Sequence, residues 1–146
     1  MGFSKMMELL QEKEKRSIVL CNLGSFYVAV GKDAVLLNEI LGLKVSCLKE
    51  EICKVGFPTN ALEKYTRLIE EKDYSYVVYF FDQQKEELTA IKRFAGKKEN
   101  QIKEKQVNCY LCAKSTKVYS EMDKYILAFK KLQENTKEGE CYSKTN

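Results

Sequence analysis

The sequence predicts a mixed α/β domain, a β-sheet with packed helices, followed by a C-terminal helical extension. Three observations carry that expectation. Ser17–Leu23, Ser25–Val30 and Tyr74–Phe81 are β-branched or aromatic runs of strand length. Segments with apolar residues at helical spacing lie between and after them. The chain has 146 residues and is 45% hydrophobic, which suits one domain with a real core.

The elements follow in order. Met1–Lys15 reads as a short amphipathic helix with Met6, Met7, Leu9 and Leu10 on its apolar side. Ser17–Leu23 and Ser25–Val30 read as two strands that pair as a tight hairpin if the chain reverses at Gly24. Asp33 is placed to cap a helix carrying Val35, Leu37, Ile40 and Leu41, and Gly42 to stop it. KVSCL and ICKVGF are short strand candidates around the charged turn Lys49-Glu50-Glu51, the second ended by Pro58.

Asn60 and Glu63 have the spacing of a capping box, and the helix after them sets Leu62, Tyr65, Leu68 and Ile69 on one stripe. Tyr74–Phe81 is apolar on both faces, which predicts a strand inside the sheet. Beyond Asp82 the pattern turns helical, with Leu88, Ile91, Phe94 and Ala95 as a stripe ended by Gly96. A polar connection, KKENQIKEKQ, leads to a final helix through Val118, Met122, Tyr125, Phe129 and Leu132. From Glu134 onward the composition predicts a disordered tail. The chain thus divides into an N-terminal helix (1–16), a sheet domain (17–112) and a C-terminal helix with a polar tail (113–146).

Composition removes several classes of function. There is no His, so the commonest general base and the Ser-His and Cys-His arrangements are absent. Gly31-Lys32 is followed by Asp33 and Gly96-Lys97 by Lys98, so neither completes a phosphate-binding G-x-x-x-x-G-K-[ST] loop. The acidic pairs Glu50-Glu51, Glu70-Glu71 and Glu86-Glu87 are sequence neighbours that diverge on a helix or strand, which makes them solvated faces. No apolar run approaches the roughly 20 residues of a membrane helix, and the charged N-terminus is no secretory leader. The expectation is a soluble cytoplasmic protein, not an enzyme, with no cofactor, no metal and no membrane partner.

Net charge is +4, and the excess lies in the second part: residues 83–146 carry 14 Lys and Arg against 9 Asp and Glu. That asymmetry permits nucleic-acid binding, and equally describes a solvated tail. Six cysteines without a leader are expected to be reduced. Cys109 and Cys112 have the C-x-x-C spacing of a zinc half-site or a redox pair, with structural thiols as the plainer reading. Cys47 and Cys53 are a second pair, too widely spaced for an ordinary zinc half-site.

Two segments carry a resemblance. GSFYVAVGKDAVLLNEILGLKVS resembles the opening of the N-terminal, mismatch-recognition domain of the MutS mismatch-repair family, which has a Gly-Asp-Phe-Tyr-Glu stretch followed by a helix and a Leu-rich strand. Gly24, Phe26, Tyr27, Asp33, Ala34, Leu41 and Leu43 fit that frame. KVGFPTNALEKYTRLIEEKDYSYVVY is similar to the family's Gly-(apolar)-Pro-x-His-Ala segment, its Tyr-containing helix and the next strand, through Gly56, Pro58, Ala61, Tyr65 and Leu68. The resemblance spans roughly residues 17–82.

It implies a stand-alone MutS-like protein that acts by binding nucleic acid. The family's Phe-x-Glu motif stacks a Phe on a base and hydrogen-bonds it through the Glu. Phe26 matches the Phe, and Val28 occupies the Glu position. Stacking needs only an apolar ring and a deformable step; the acceptor is missing, so mismatch discrimination by that route is in question. Val28→Glu is expected to restore it. The second implied contact is the loop before Pro58: Lys54 for a phosphate, Gly56 for close backbone approach, Phe57 as a stacking face, with Val55 and Asn60 beside them. Asn60 stands where the family usually has His.

The implied partner is a DNA duplex or a DNA/RNA hybrid. Short MutS-like chains encoded beside reverse transcriptases in diversity-generating retroelements extend that to a reverse transcriptase. Two readings compete: a protein-interaction adaptor docking through Val118, Met122, Tyr125 and Phe129, and a thiol-dependent enzyme resting on Cys109 and Cys112.

Overall fold

The structure is a computed structural model that describes residues 2–47, 52–102 and 124–143. Its elements are α1 (Gly2–Lys13), β1 (Ile18–Leu23), β2 (Phe26–Val30), α2 (Gly31–Leu41), β3 (Ser46–Cys47), β4 (Cys53–Pro58), a single 3-10 turn (Thr59–Ala61), α3 (Leu62–Glu71), β5 (Tyr76–Asp82), β6 (Glu87–Phe94) and α4 (Lys124–Ser143). The strands form one six-stranded sheet in the order β3-β4-β2-β1-β5-β6. Only the β1–β5 pair is parallel; the other neighbours are antiparallel. The fold is therefore the mixed sheet with packed helices that the strand runs predict.

The β1–β2 hairpin closes at Leu23 opposite Phe26, which leaves a two-residue loop. Gly24 takes φ +61° there, a conformation that a two-residue hairpin demands and L side chains resist. Beyond the last β1–β5 ladder pair, the Asn22 side chain continues the pairing. Its amide donates to Phe81 O at 3.1 Å, and its oxygen accepts from Phe81 N at 2.7 Å.

Strand alternation sorts the core into two layers. On one face Val19, Cys21, Val28, Val30, Val77, Tyr79, Phe81 and Leu88 meet Phe3, Met6, Met7 and Leu10 of α1 and Ala128 and Phe129 of α4. On the other, Ile18, Leu20, Tyr27, Ala29, Val55, Phe57, Tyr76 and Val78 meet Ala34, Leu36 and Leu37 of α2 and Ile69 of α3. α1 thus belongs to the same core as the sheet.

Four local expectations are corrected. Leu88, Ile91 and Phe94 lie in strand β6, not on a helix. A register shift opposite Val78 and Tyr79 leaves Ile91 without a ladder partner, since Lys92 pairs with Val78 and Ala90 with Tyr79. This bulge turns a two-residue alternation into a spacing of three, which imitates a helical stripe.

Asp33 does not cap α2. The helix is entered through Gly31 at φ +58°, and Asp33 is buried inside its first turn. Its carboxylate accepts from Val19 N at 3.0 Å, Gln11 Nε2 at 2.9 Å and Asn100 Nδ2 at 2.8 Å. One side chain thereby ties β1, α1 and the segment after β6 to α2. Burial pushes the carboxyl above its ordinary range, against the pull of those N–H donors.

Asn60 and Glu63 form no capping box: Asn60 sits in the 3-10 turn, and α3 starts after Ala61 without a side-chain cap. Glu63 instead receives Lys92 of β6 at 3.1 Å. Finally, the tail from Glu134 continues α4 as helix to Ser143. Gln133, Glu134, Lys137, Glu138 and Glu140 are good helix formers, and extending a helix already anchored at Ile126 and Phe129 avoids the cost of a new nucleus.

Candidate nucleic-acid interface

The helical layer of α1 and α4 covers only part of its face. Phe26 and Val28 are two residues apart on β2, so both point to that face. Val28 is 2% exposed within the apolar cluster, whereas Phe26 is 48% exposed. The covering stops between them. What lies open is the end of β2 and its neighbours β4 and β3.

Register defines this strip. Across β4, Pro58 stands opposite Phe26, Gly56 opposite Val28 and Lys54 opposite Val30; Ser46 of β3 stands opposite Lys54. Pro58, Gly56 and Ser46 are exposed and Lys54 is half-buried. A side chain at Gly56 would rise beside Phe26: an added Cβ would lie 3.2 Å from Tyr27 O, 3.5 Å from Val28 Cγ2 and 3.9 Å from Phe26 Cβ. Glycine therefore keeps the strip flat next to the exposed ring and opens backbone to close approach. Thr59 N donates to Ser25 O at 2.9 Å, which pins the end of β4 to the hairpin that presents Phe26.

The residues singled out from sequence are thus divided. Phe26, Gly56 and Lys54 come together on the open strip. Asn60 is exposed in the turn just beyond Pro58. Val55 and Phe57 face the opposite way. Phe57 is buried, with its ring stacked on Tyr65 at 4.6 Å and tilted against Tyr27 at 6.3 Å. The expectation of Phe57 as a stacking face therefore gives way: along β4 its position has the parity of Val55 and Cys53, which fill the α2–α3 layer. Pro58 was missed as a site residue. Its pairing with Phe26 depends on the β2–β4 register, which joins residues 24 to 32 positions apart in the chain.

The burial of Val28 also corrects the expectation that Val28→Glu restores an acceptor at the surface. A carboxylate there would enter the apolar cluster under α1.

Two other expectations meet the structure in part. Tyr125 packs on Phe3 at 5.4 Å and on Phe81 at 4.7 Å, and Phe129 is buried. These two residues of the adaptor reading are spent on the chain's own core; Val118 and Met122 lie outside the described residues, as do Cys109 and Cys112. Cys21 is fully buried, and burial pushes its thiol up to about 12, so it is chemically inert. Among the described residues no three His, Cys, Asp or Glu side chains gather as a metal site, and no helix is long and apolar enough to cross a membrane.

No curated protein matches the chain. A comparison with protein families matches residues 2–118 to MutS domain I. That match takes in α1, the whole sheet, the hairpin bearing Phe26 and the Gly56–Pro58 segment, and on it the chain belongs to the MutS domain I family.

Proposed function

We propose that the protein is a non-catalytic nucleic-acid-binding accessory protein that docks on a duplex through the open strip of β2, β4 and β3. The observation that carries this reading is the half-exposed Phe26, held on a rigid hairpin beside the flat Gly56–Pro58 edge. An aromatic ring so placed acts as a wedge: it stacks on a base at a step that is easily unstacked, and the bent duplex then reaches more protein surface. Lys54 lies farther along the same strip and meets a phosphate. The 3-10 turn and α3 begin without side-chain caps, so backbone N–H groups near Asn60 add to the anionic preference. Val55 and Phe57 act from within, by fixing the β4 backbone that carries Gly56 and Lys54.

Val28 gives this wedge no hydrogen-bond acceptor beside it. The reading is accordingly recognition of deformable duplex, DNA or DNA/RNA hybrid, rather than readout of a mispaired base. Association with a reverse transcriptase rests on the sequence resemblance to short stand-alone chains alone.

Fluorescence anisotropy with a labelled duplex tests the reading. Binding should weaken steeply with added salt and should favour a duplex containing a mispaired or flexible step over a fully paired one. ATP turnover should be absent. Absence of binding at low salt, or affinity that is indifferent to both salt and step flexibility, would remove the proposal.

A further inference from the structure

The β3–β4 ladder places Cys47 directly opposite Cys53. Directly opposed residues of an antiparallel pair have Cα atoms about 4.5–5.5 Å apart. A disulfide spans Cα separations of roughly 4.4–6.8 Å. The ladder register therefore puts the two backbone positions within the span of a disulfide, although five residues separate them in sequence and the spacing suits no zinc half-site. Cys21 lies in a different layer of the core from Cys53 and is fully buried.

We propose that Cys47 and Cys53 form a reversible redox pair, closed by exchange with a low-molecular-weight disulfide of the glutathione class. The thiolate of Cys47 attacks one sulfur of the external disulfide and expels the first thiolate, leaving a mixed disulfide on Cys47. The thiolate of Cys53 then attacks the Cys47 sulfur and expels the second. One external disulfide is reduced to two thiols, the protein pair is oxidised to one disulfide, and the two protons pass to the departing thiolates. Cys53 takes the second role because it is 5% exposed and cannot meet a bulky disulfide first. The bond would join the two-residue edge strand β3 to β4, next to the ladder pair of Ser46 and Lys54. The inference stands on register and burial, independently of whether the strip binds nucleic acid.

The test uses the full chain with Cys109, Cys112 and Cys141 changed to serine, so that Cys21, Cys47 and Cys53 remain. The protein is equilibrated with oxidised and reduced glutathione in varying ratio, quenched with acid, and alkylated under denaturing conditions. The expected result is coordinated loss of two of the three thiols, with a peptide in which residues 47 and 53 are linked and Cys21 alkylated throughout. Cys53→Ser in the same background should stop at the mixed disulfide on Cys47, and dithiothreitol should return all three thiols in the parent. Circular dichroism confirms that each protein is folded before oxidation. Retention of all three thiols at the most oxidising ratio, oxidation ending in mixed disulfides alone, or a linkage that includes Cys21 would overturn the proposal.

Discussion

The two halves of one sheet face differ in what covers them. Over β1, β5 and the inner end of β2, α1 and α4 bury Val19, Cys21, Val28, Tyr79 and Phe81. At the outer end of β2 and along β4, Phe26, Gly56 and Pro58 are exposed, and among the described residues no helix sits on them. Phe26 and Val28 share a strand and a face, yet one is structural and the other is available to a ligand. Residue type does not separate them, since both are apolar. What separates them is membership of the cluster that α1 and α4 close, which includes Val28 and not Phe26.

Substitutions across that boundary should differ accordingly, and the largest effect is expected at Val28. Val28→Glu buries a carboxylate in an apolar cluster with no cation described beside it. It should cost roughly 3–5 kcal/mol at neutral pH, the usual loss for an uncompensated buried charge. Burial raises the new carboxyl's pKa, so the loss should shrink as pH falls and the group takes a proton. Urea denaturation at two pH values measures both. A variant of unchanged stability with sharper preference for a mispair would place the side chain in solvent and dissolve the boundary.

Phe57 and Phe26 make the same contrast between two aromatic rings. Phe57→Ala removes a buried ring stacked on Tyr65 and should cost about 3–5 kcal/mol of stability. Phe26→Ala should stay within about 0.5 kcal/mol of the parent, yet weaken duplex binding by about 1–3 kcal/mol, roughly 5–150-fold. If Phe26→Ala unfolds at the lower denaturant concentration of the two, the ring belongs to the core.

How far this was legible in the sequence follows from the range of the determining interactions. The hairpin, α2, α3 and β5 announce themselves through local runs, a glycine at a turn and a stop at Gly42. β6 did not, because a bulge at Ile91 disturbs the one periodicity that identifies a strand. Asp33 looked like a cap because caps are local, while its partners Gln11 and Asn100 lie 22 and 67 positions away. In the candidate site, the resemblance points to Phe26 and Lys54, but it does not give the parity of β4. That parity sends Gly56 and Pro58 outward and Val55 and Phe57 inward, and only the β2–β4 register reveals it.

The covered half also holds a charged group, and it gives a smaller effect. Glu14 follows α1 and accepts both guanidinium N–H groups of Arg93 at 2.9 Å, as well as the Tyr79 hydroxyl. Burial works to raise its carboxyl, but the hydrogen bonds and charge of Arg93 and the Tyr79 hydroxyl outweigh it and hold the pKa below the ordinary value. A depressed pKa contributes stability that is present above the unfolded-state value and is lost as pH falls through the folded one. Arg93 is half exposed, so the contribution is limited by solvent screening to about 1 kcal/mol. Glu14→Gln should therefore be less stable than the parent at pH 7, and the difference should fade on acidification. A difference that grows toward low pH would reverse the assignment.

The smallest effect is expected at Lys54, and its form matters more than its size. Lys54 and Phe26 sit at opposite ends of the open strip. Lys54 pairs with Val30, four residues along β2 from Phe26, a separation of about 13 Å. One is a flexible point charge and the other a fixed ring, so their losses should differ in kind. Lys54→Ala removes one phosphate contact: affinity should fall about equally for every duplex, and the slope of log K against log salt should diminish by roughly one unit. Phe26→Ala should leave that slope unchanged and act mainly on duplexes with a flexible step. Groups this far apart with no shared partner add within about 0.3–0.5 kcal/mol, so the double variant should show the sum of both losses. Additivity with an unchanged slope for Lys54→Ala would confine the interface to the Phe26–Pro58 end. A loss in the double variant no greater than that of Phe26→Ala alone would mean that Lys54 meets the duplex only after the wedge has bent it.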